Sequence, residues 1–188
     1  MPMLTVKSDA SGTARWGFVY TYPSGEGELV YGQLSGGDAD VHVPFYEMAA
    51  VHECVCRHAP TWGGYLIRFG VDSAPVANAL NTGTSRDPSL MRLLRTISNA
   101  HIHHSFDIAA VHVTRNQNQL ADALTRHITV QDLHQFLAHE NFDAKECGDT
   151  PVACRIDSQL TNSGRWSLQL GRRKPCAGSL ERRRTWAT

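Results

Sequence analysis

The fold of this 188-residue chain is constrained most by one feature: strand-like runs come first, and helical spacing of apolar residues follows them. The first 35 residues hold three short runs rich in β-branched and aromatic residues, 4–10, 15–22 and 28–34, separated by clusters of Gly and Ser. Such runs predict short strands, and the clusters between them predict turns. The chain is therefore expected to begin with an antiparallel meander of three strands.

Helical spacing of apolar residues then takes over and alternates with two further strand-like runs. The pattern predicts helices over 44–59, 73–83, 87–100, 118–126 and 129–142, and strands over 65–72 and 106–113. Pro44 suits a first helical turn, Gly83 a helix end, and Asp87 and Asn118 helix caps. This order of elements predicts an α/β domain with a five-stranded mixed sheet, three antiparallel strands followed by two parallel ones, flanked by helices.

The composition indicates a globular protein rather than a membrane or secreted one. Hydrophobic residues make up 41% and charged residues 19%, and no apolar run approaches the length of a membrane span. The first residues lack the basic segment, apolar run and cleavage site of a secretory signal. Five cysteines, an odd number, predict free thiols in a reducing compartment. We therefore expect an intracellular protein, cytoplasmic or nuclear.

The C-terminal segment differs from the rest of the chain in its net charge and in the spacing of its apolar residues. Residues 151–188 carry eight Arg or Lys against two acids, a net charge of +6, while the preceding residues carry −6. Beyond about residue 145 the apolar residues show no sustained helical or strand-like spacing. We predict one domain over 1–145 and a basic tail without regular structure over 146–188. Such a tail is compatible with an anionic partner and equally with a solvated extension.

Four carboxylates occupy positions where a charge is costly. Asp122 lies within an apolar stretch of the 118–126 helix, Asp9 within the first strand, Glu47 in the first turn of the first helix, and Asp72 at the end of the fourth strand. A buried carboxylate needs a partner, and four close together would raise one another's pKa. Divalent cations with oxygen ligands, Mg²⁺ or Mn²⁺, resolve both problems, and a pair of them supports phosphodiester cleavage.

Four motifs carry a resemblance to a known family: "SDAS", "YEMAAV", "FGVDSAPVANALNTGTSR" and "VHVTRNQNQLADALTR". Over residues 4–127 the chain resembles the RNase H domain of retroelement reverse transcriptases. The phrase "LNTGTSRDPSLMRLLRTI" looks most like the DIRS-type tyrosine-recombinase retrotransposons. The resemblance implies the RNase H-like fold and cleavage of the RNA strand of an RNA–DNA hybrid, in a retrotransposon polyprotein or a gene derived from one.

The resemblance also implies a role for each acid and two bound ions. Asp9 would bridge both ions, Glu47 and Asp72 would complete one site, and Asp122 would help to hold the ion that activates the attacking water. The products would carry 5′-phosphate and 3′-hydroxyl ends. Small polar groups beside the acids contact the substrate in this family, so the positions of Ser11 and Ser73 are candidates for substrate binding.

Two departures from the family limit these expectations. The mobile histidine that cellular members place before the last carboxylate has no counterpart in "TRNQ", and His112 is expected within the preceding strand. The basic helix that grips the hybrid is also missing. We therefore expect the domain alone to bind hybrid weakly, with affinity supplied by a reverse transcriptase domain in cis or in trans.

Two other functions remain open from the sequence. One is a catalytically inactive hybrid-binding or scaffold module of a reverse transcriptase; the other is a different nuclease of the same fold, since integrases and exonucleases share it. His101 to His104 have no Cys partner at zinc-site spacing and are expected to form a connector.

Overall fold

The computed structural model describes residues 1–13, 15–23, 26–34, 42–126, 143–147 and 160–169, together with Asp132 and Gln135. The chain begins with three strands, β1 (Met3–Ala10), β2 (Arg15–Thr21) and β3 (Glu26–Leu34). β2 pairs antiparallel with both of the others. The predicted meander is confirmed.

Helices and parallel strands follow in alternation. The elements are α1 (Val43–His58), β4 (Leu66–Val71), α2 (Ala74–Thr82), α3 (Pro88–His104), β5 (Asp107–His112) and α4 (Gln119–Arg126). β4 pairs parallel with β1, and β5 pairs parallel with β4. The predicted five strands therefore form a mixed sheet in the order β5-β4-β1-β2-β3.

Local sequence explains most of the helix ends. Pro44 lies in the first turn of α1. Gly83 ends α2 in the left-handed conformation at φ 66°. The Asp87 carboxylate accepts hydrogen bonds from the backbone of the first turn of α3. The end of α3 differs from expectation: the helix continues through His101–His104, which were expected in a connector, and stops where Ser105 adopts φ 55°.

Two further strands extend the sheet beyond β3. β6 (Asp143–Cys147) and β7 (Leu160–Gln169) are antiparallel to each other, and β7 is antiparallel to β3. The prediction that no regular structure follows residue 145 is therefore wrong for 160–169. The central "NSGR" of β7 has no strand-like pattern, so the strand could not be predicted locally. It forms by pairing with β3, which lies more than 120 residues earlier in the chain. The helix predicted over 129–142 lies outside the described residues except at Asp132 and Gln135, which are helical.

The core lies between the sheet and α1, α2 and α3. Trp16 and Phe18 of β2 are fully buried there with Met48 of α1. Gly17, between them, points to the opposite face of the sheet, where its Cα lies against Leu124 of α4. Helices therefore cover both faces of the sheet, with α4 on the face opposite the core. No helix in the described part of the chain is long and apolar enough to cross a bilayer.

Candidate active site

Three of the four predicted acids meet at one edge of the sheet. One carboxylate oxygen from each of Asp9, Glu47 and Asp72 lies within 4.8 Å of the others. Asp9 is near the carboxyl end of β1 and Asp72 directly follows β4, and the two strands are parallel and adjacent. Their carboxyl ends therefore share an edge, where α1 adds Glu47 one turn after its start.

Hydrogen bonds fix two of these carboxylates from opposite sides. The backbone N–H of Ala10 donates to Glu47 Oε1 at 3.2 Å. Thr125 Oγ1, from α4, donates to Asp9 Oδ2 at 2.5 Å. No donor among the described residues bonds to the buried Oε2 of Glu47. In the described part of the chain, the site therefore retains a buried oxygen without a hydrogen bond.

Burial and mutual repulsion make this a difficult place for negative charge. Asp9 and Glu47 are 4% and 2% exposed. Burial, reinforced by the charges of Asp9 and Asp72, raises the pKa of Glu47 to about 9. Burial also raises the pKa of Asp9 to about 6, although the Thr125 hydrogen bond opposes the rise. Desolvation is the main cause in both cases.

Asp122 lines the same cleft but lies outside the 4.8 Å group. Its Oδ2 is 2.6 Å from Arg126 Nε, and its Oδ1 is 3.6 Å from Arg115 Nε. The expected partners of this carboxylate were the other acids and a cation, whereas the structure shows two arginines. Asn118 lies at the predicted cap position, since its carbonyl oxygen accepts the backbone N–H of Asp122 at 2.9 Å. Its side chain does not cap the helix: among the described residues Oδ1 has no hydrogen-bond partner, and Nδ2 donates to Ser8 O.

The acids line an open cleft of about 560 Å³. Ser11 and Ser73, the predicted substrate contacts, both lie on its wall. The Ser11 hydroxyl is hydrogen bonded to that of Thr13 at 2.8 Å, and Ser73 precedes α2 without capping it. Their place at the cleft is compatible with the prediction, and their role stays a prediction.

Sequence reasoning missed three polar side chains of the cleft, Thr125, Arg126 and Arg115. Thr125 and Arg126 could have been found from helical spacing, because residues three and four positions after Asp122 lie on its face of the helix. Arg115 belongs to a short 3₁₀ helix, Arg115–Gln117, for which the sequence has no comparable periodicity.

The donor set fits a divalent cation. Three carboxylates converge, and no His or Cys joins them in the described part of the chain. Oxygen-only ligands are those of hard ions such as Mg²⁺ and Mn²⁺. A cation would also meet the unpartnered Glu47 oxygen and offset the repulsion that raises the pKa of Glu47.

Comparison with known proteins places the fold. A family model described as reverse transcriptase-like matches residues 47–128. The structure of the RNase H1 LC11, isolated from compost by a metagenomic approach and solved with an RNA/DNA hybrid, matches with a TM-score of 0.50. The match covers 66% of this chain and 93% of LC11, at 16% identity. This is the RNase H fold.

Other solved structures are similar at lower scores. The RNase H1 of the halophilic archaeon Halobacterium salinarum is 21% identical, over 65% of this chain and 93% of its own, with a TM-score of 0.43. The foamy viral protease-reverse transcriptase bound to RNA/DNA hybrid is 14% identical over 71% of this chain and 20% of its own, also at 0.43. No curated protein matches the chain.

Proposed function

We propose that this protein is a metal-dependent endoribonuclease that cleaves the RNA strand of RNA–DNA hybrids and derives from a retroelement reverse transcriptase. The observation that carries the proposal is the convergence of Asp9, Glu47 and Asp72 within 4.8 Å at the open edge of an RNase H fold. Its origin in a DIRS-type element rests on the sequence motifs alone.

In this proposal the three acids and Asp122 hold two Mg²⁺ or Mn²⁺ ions. Such ions supply a water nucleophile at neutral pH and stabilise the departing 3′ oxygen. The protein contributes the carboxylates, an open cleft, and the exposed guanidinium groups of Arg115 and Arg126 at its wall. Those groups suit phosphate oxygens, which accept paired hydrogen bonds from arginine.

Substrate choice is assigned to the small polar side chains of the cleft. Ser11 and Ser73 flank Asp9 and Asp72 in the chain, so a ribose next to the cleaved bond would lie within their reach. A hydroxyl can donate to or accept from a 2′-hydroxyl, the group that distinguishes RNA from DNA. A reverse transcriptase domain, in cis or in trans, would supply the remaining contacts along the hybrid.

Cleavage of a labelled RNA–DNA hybrid by the full chain, in Mg²⁺ and in Mn²⁺, tests this proposal. We expect cutting of the hybrid and none of single-stranded or duplex RNA. Asp72→Asn should remove the activity, because it deletes one negative ligand while leaving the size of the side chain unchanged. Asp107→Asn is the matched control, since Asp107 is exposed at the start of β5, the opposite end of the sheet.

The alternatives give distinct results in the same assay. Metal binding without cleavage at high protein concentration would favour the hybrid-binding scaffold. Cleavage of DNA strands would favour another nuclease of this fold. Equal loss of activity in Asp72→Asn and Asp107→Asn would argue against the proposed metal site.

A further inference from the structure

Helix α4 is tied to β1 at two points that lie two helical turns apart. Asn118, directly before the helix, donates from Nδ2 to the carbonyl oxygen of Ser8 at 2.8 Å. Thr125, seven residues later, donates from Oγ1 to Asp9 Oδ2 at 2.5 Å. Positions seven apart lie on the same face of a helix, so both bonds anchor one face of α4 to consecutive residues of the strand.

The second of these bonds ends on a candidate metal ligand. Thr125 is only 4% exposed. Its hydroxyl oxygen is also 2.9 Å from the carbonyl oxygen of Asp122, the usual contact of a helical threonine with the preceding turn. A hydroxyl has one proton, and a carboxylate is the stronger acceptor. The bond to Asp9 is therefore the dominant one.

We infer that Thr125 is a positioning residue of the metal centre: its hydroxyl fixes the orientation of the Asp9 carboxylate so that Asp9 can share a cation with Glu47 and Asp72. The inference deepens the proposed function and rests on it. A hydrogen bond to one carboxylate oxygen restricts rotation of the whole group, and ligating carboxylates held in this way bind metal more tightly.

Thr125 also couples the two halves of the site. Asp9 belongs to β1, whereas Asp122 belongs to α4, and the Thr125 hydroxyl contacts the carboxylate of the first and the carbonyl oxygen of the second. Loss of its hydroxyl leaves the Asn118 anchor intact. The effect should therefore appear in metal binding rather than in folding.

Calorimetric titration of the full chain with Mn²⁺ tests this inference. Thr125→Val removes the hydroxyl and keeps the shape of the side chain. We expect it to weaken Mn²⁺ binding by about tenfold or more, the usual effect of removing a partner of a metal ligand. Thr125→Ser keeps the hydroxyl and should bind Mn²⁺ close to the wild-type affinity. In cleavage assays kcat should fall in Thr125→Val while KM for the hybrid is retained.

Matched variants keep the result interpretable. Thr96→Val makes the same change on the exposed face of α3, where the hydroxyl meets only the backbone of Arg92, and should bind Mn²⁺ normally. If Thr125→Val does not fold by circular dichroism, the pair Thr125→Ser and Thr125→Ala replaces it, because the two differ only in the hydroxyl.

The possible failures are distinguishable. A wild-type chain that is folded and binds no Mn²⁺ would overturn the proposed function itself. A wild-type chain that binds Mn²⁺, with a folded Thr125→Val variant of equal affinity, would overturn only the role of Thr125. Weak binding by both Thr125→Val and Thr125→Ser would also overturn it, since the cause would then not be the hydroxyl.

Discussion

The negative charge of Asp122 is paired with two arginine side chains. Its carboxylate is 18% exposed, with Arg126 at one oxygen and Arg115 at the other. The neighbouring residues Ala121 and Ala123 are buried. A cation at this carboxylate and the two guanidinium groups would therefore compete for the same oxygens. The apolar surroundings of Asp122, which first suggested a metal ligand, are equally compatible with these ion pairs.

We predict that Arg126→Gln tightens Mn²⁺ binding. The substitution removes a positive charge 2.6 Å from a proposed ligand, so both the competition and the repulsion of the cation decrease. Arg126 is 54% exposed, and exposed ion pairs are worth about 0.2–1 kcal/mol, so the gain should lie between about 1.4-fold and about fivefold. Calorimetric titration of the full chain measures it directly.

Arg95→Gln provides the charge-matched control for that titration. Arg95 is exposed on α3, outside the residues that line the cleft, so its loss should leave Mn²⁺ affinity unchanged. Weaker Mn²⁺ binding in Arg126→Gln than in the wild type would contradict the idea of competition. It would indicate instead that Arg126 holds Asp122 in its binding position.

At the scale of elements, the position of α4 depends on a glycine, which leaves room for the helix where any other residue would carry a side chain. A Cβ at Gly17 of β2 would lie 2.6 Å from Leu124 Cβ, closer than real contacts of this kind. Gly17→Ala should therefore push α4 away from the sheet. We expect a loss of about 1–3 kcal/mol in the free energy of unfolding, the usual cost of overpacking, measured by urea denaturation.

Metal binding should weaken in the same variant, because α4 carries both Asp122 and Thr125. Gly12→Ala is the control for stability, since a Cβ at Gly12 meets no atom within 4 Å. Unchanged stability of Gly17→Ala would show that α4 adapts without cost. The close packing of α4 would then not be what sets the geometry of the site.

Elements with a strong local pattern could be predicted from the sequence, and contacts between distant segments could not. The strands of the meander are rich in β-branched and aromatic residues, and α1 and α3 have apolar residues at helical spacing. Gly83 and Asp87 mark helix ends, because Gly adopts the left-handed conformation readily and an Asp carboxylate accepts hydrogen bonds from a first helical turn. β7 has no such pattern, and its strand conformation depends on antiparallel pairing with β3. Asn118 has the residue type of a cap, yet its amide bonds to β1 instead.

The same distinction applies to the site. Asp9, Glu47 and Asp72 could be recognised because each is a charge at the end of, or inside, an apolar element, and the predicted sheet brings two of those ends together. The bond between Thr125 and Asp9 joins residues 116 positions apart. No local signal marks such a pair, so the support of Asp9 emerged only from the packing of α4.

For the whole molecule, two buried titratable groups, His52 and Glu47, change the stability with pH in opposite directions. Burial, together with the charge of Arg92, lowers the pKa of His52 from 6.5 to about 4, so the unfolded chain binds more protons between these values. Stability is therefore lost as pH falls from 6.5 towards 4. Glu47 has the opposite sign: its pKa is raised from 4.5 to about 9, so the folded chain binds more protons in that interval. Stability is lost there as pH rises.

We predict that the wild-type chain in EDTA unfolds at a lower temperature at pH 8.5 than at pH 6.5. In that interval His52 is neutral in the folded state, and in the unfolded state it goes from half protonated to neutral, which adds only about 0.4 kcal/mol of stability as pH rises. Ionisation of Glu47 outweighs this, because it increasingly favours the unfolded chain up to a pKa of about 9. A shift of one pKa unit corresponds to about 1.4 kcal/mol, and each kcal/mol to about 2–4 °C for a chain of this size. A decrease of several degrees is expected in thermal unfolding followed by circular dichroism.

Glu47→Gln should remove most of this decrease, because the amide does not titrate. Excess Mg²⁺ should raise the unfolding temperature of the wild type more at pH 8.5 than at pH 6.5, since cations bind the ionised carboxylates in competition with protons. The Mg²⁺ effect should be much smaller in Glu47→Gln at both values. A wild-type unfolding temperature that does not change with pH in EDTA would mean that Glu47 ionises as readily in the folded protein as in the unfolded chain. The argument that cations are needed to offset a buried carboxylate at this site would then fail.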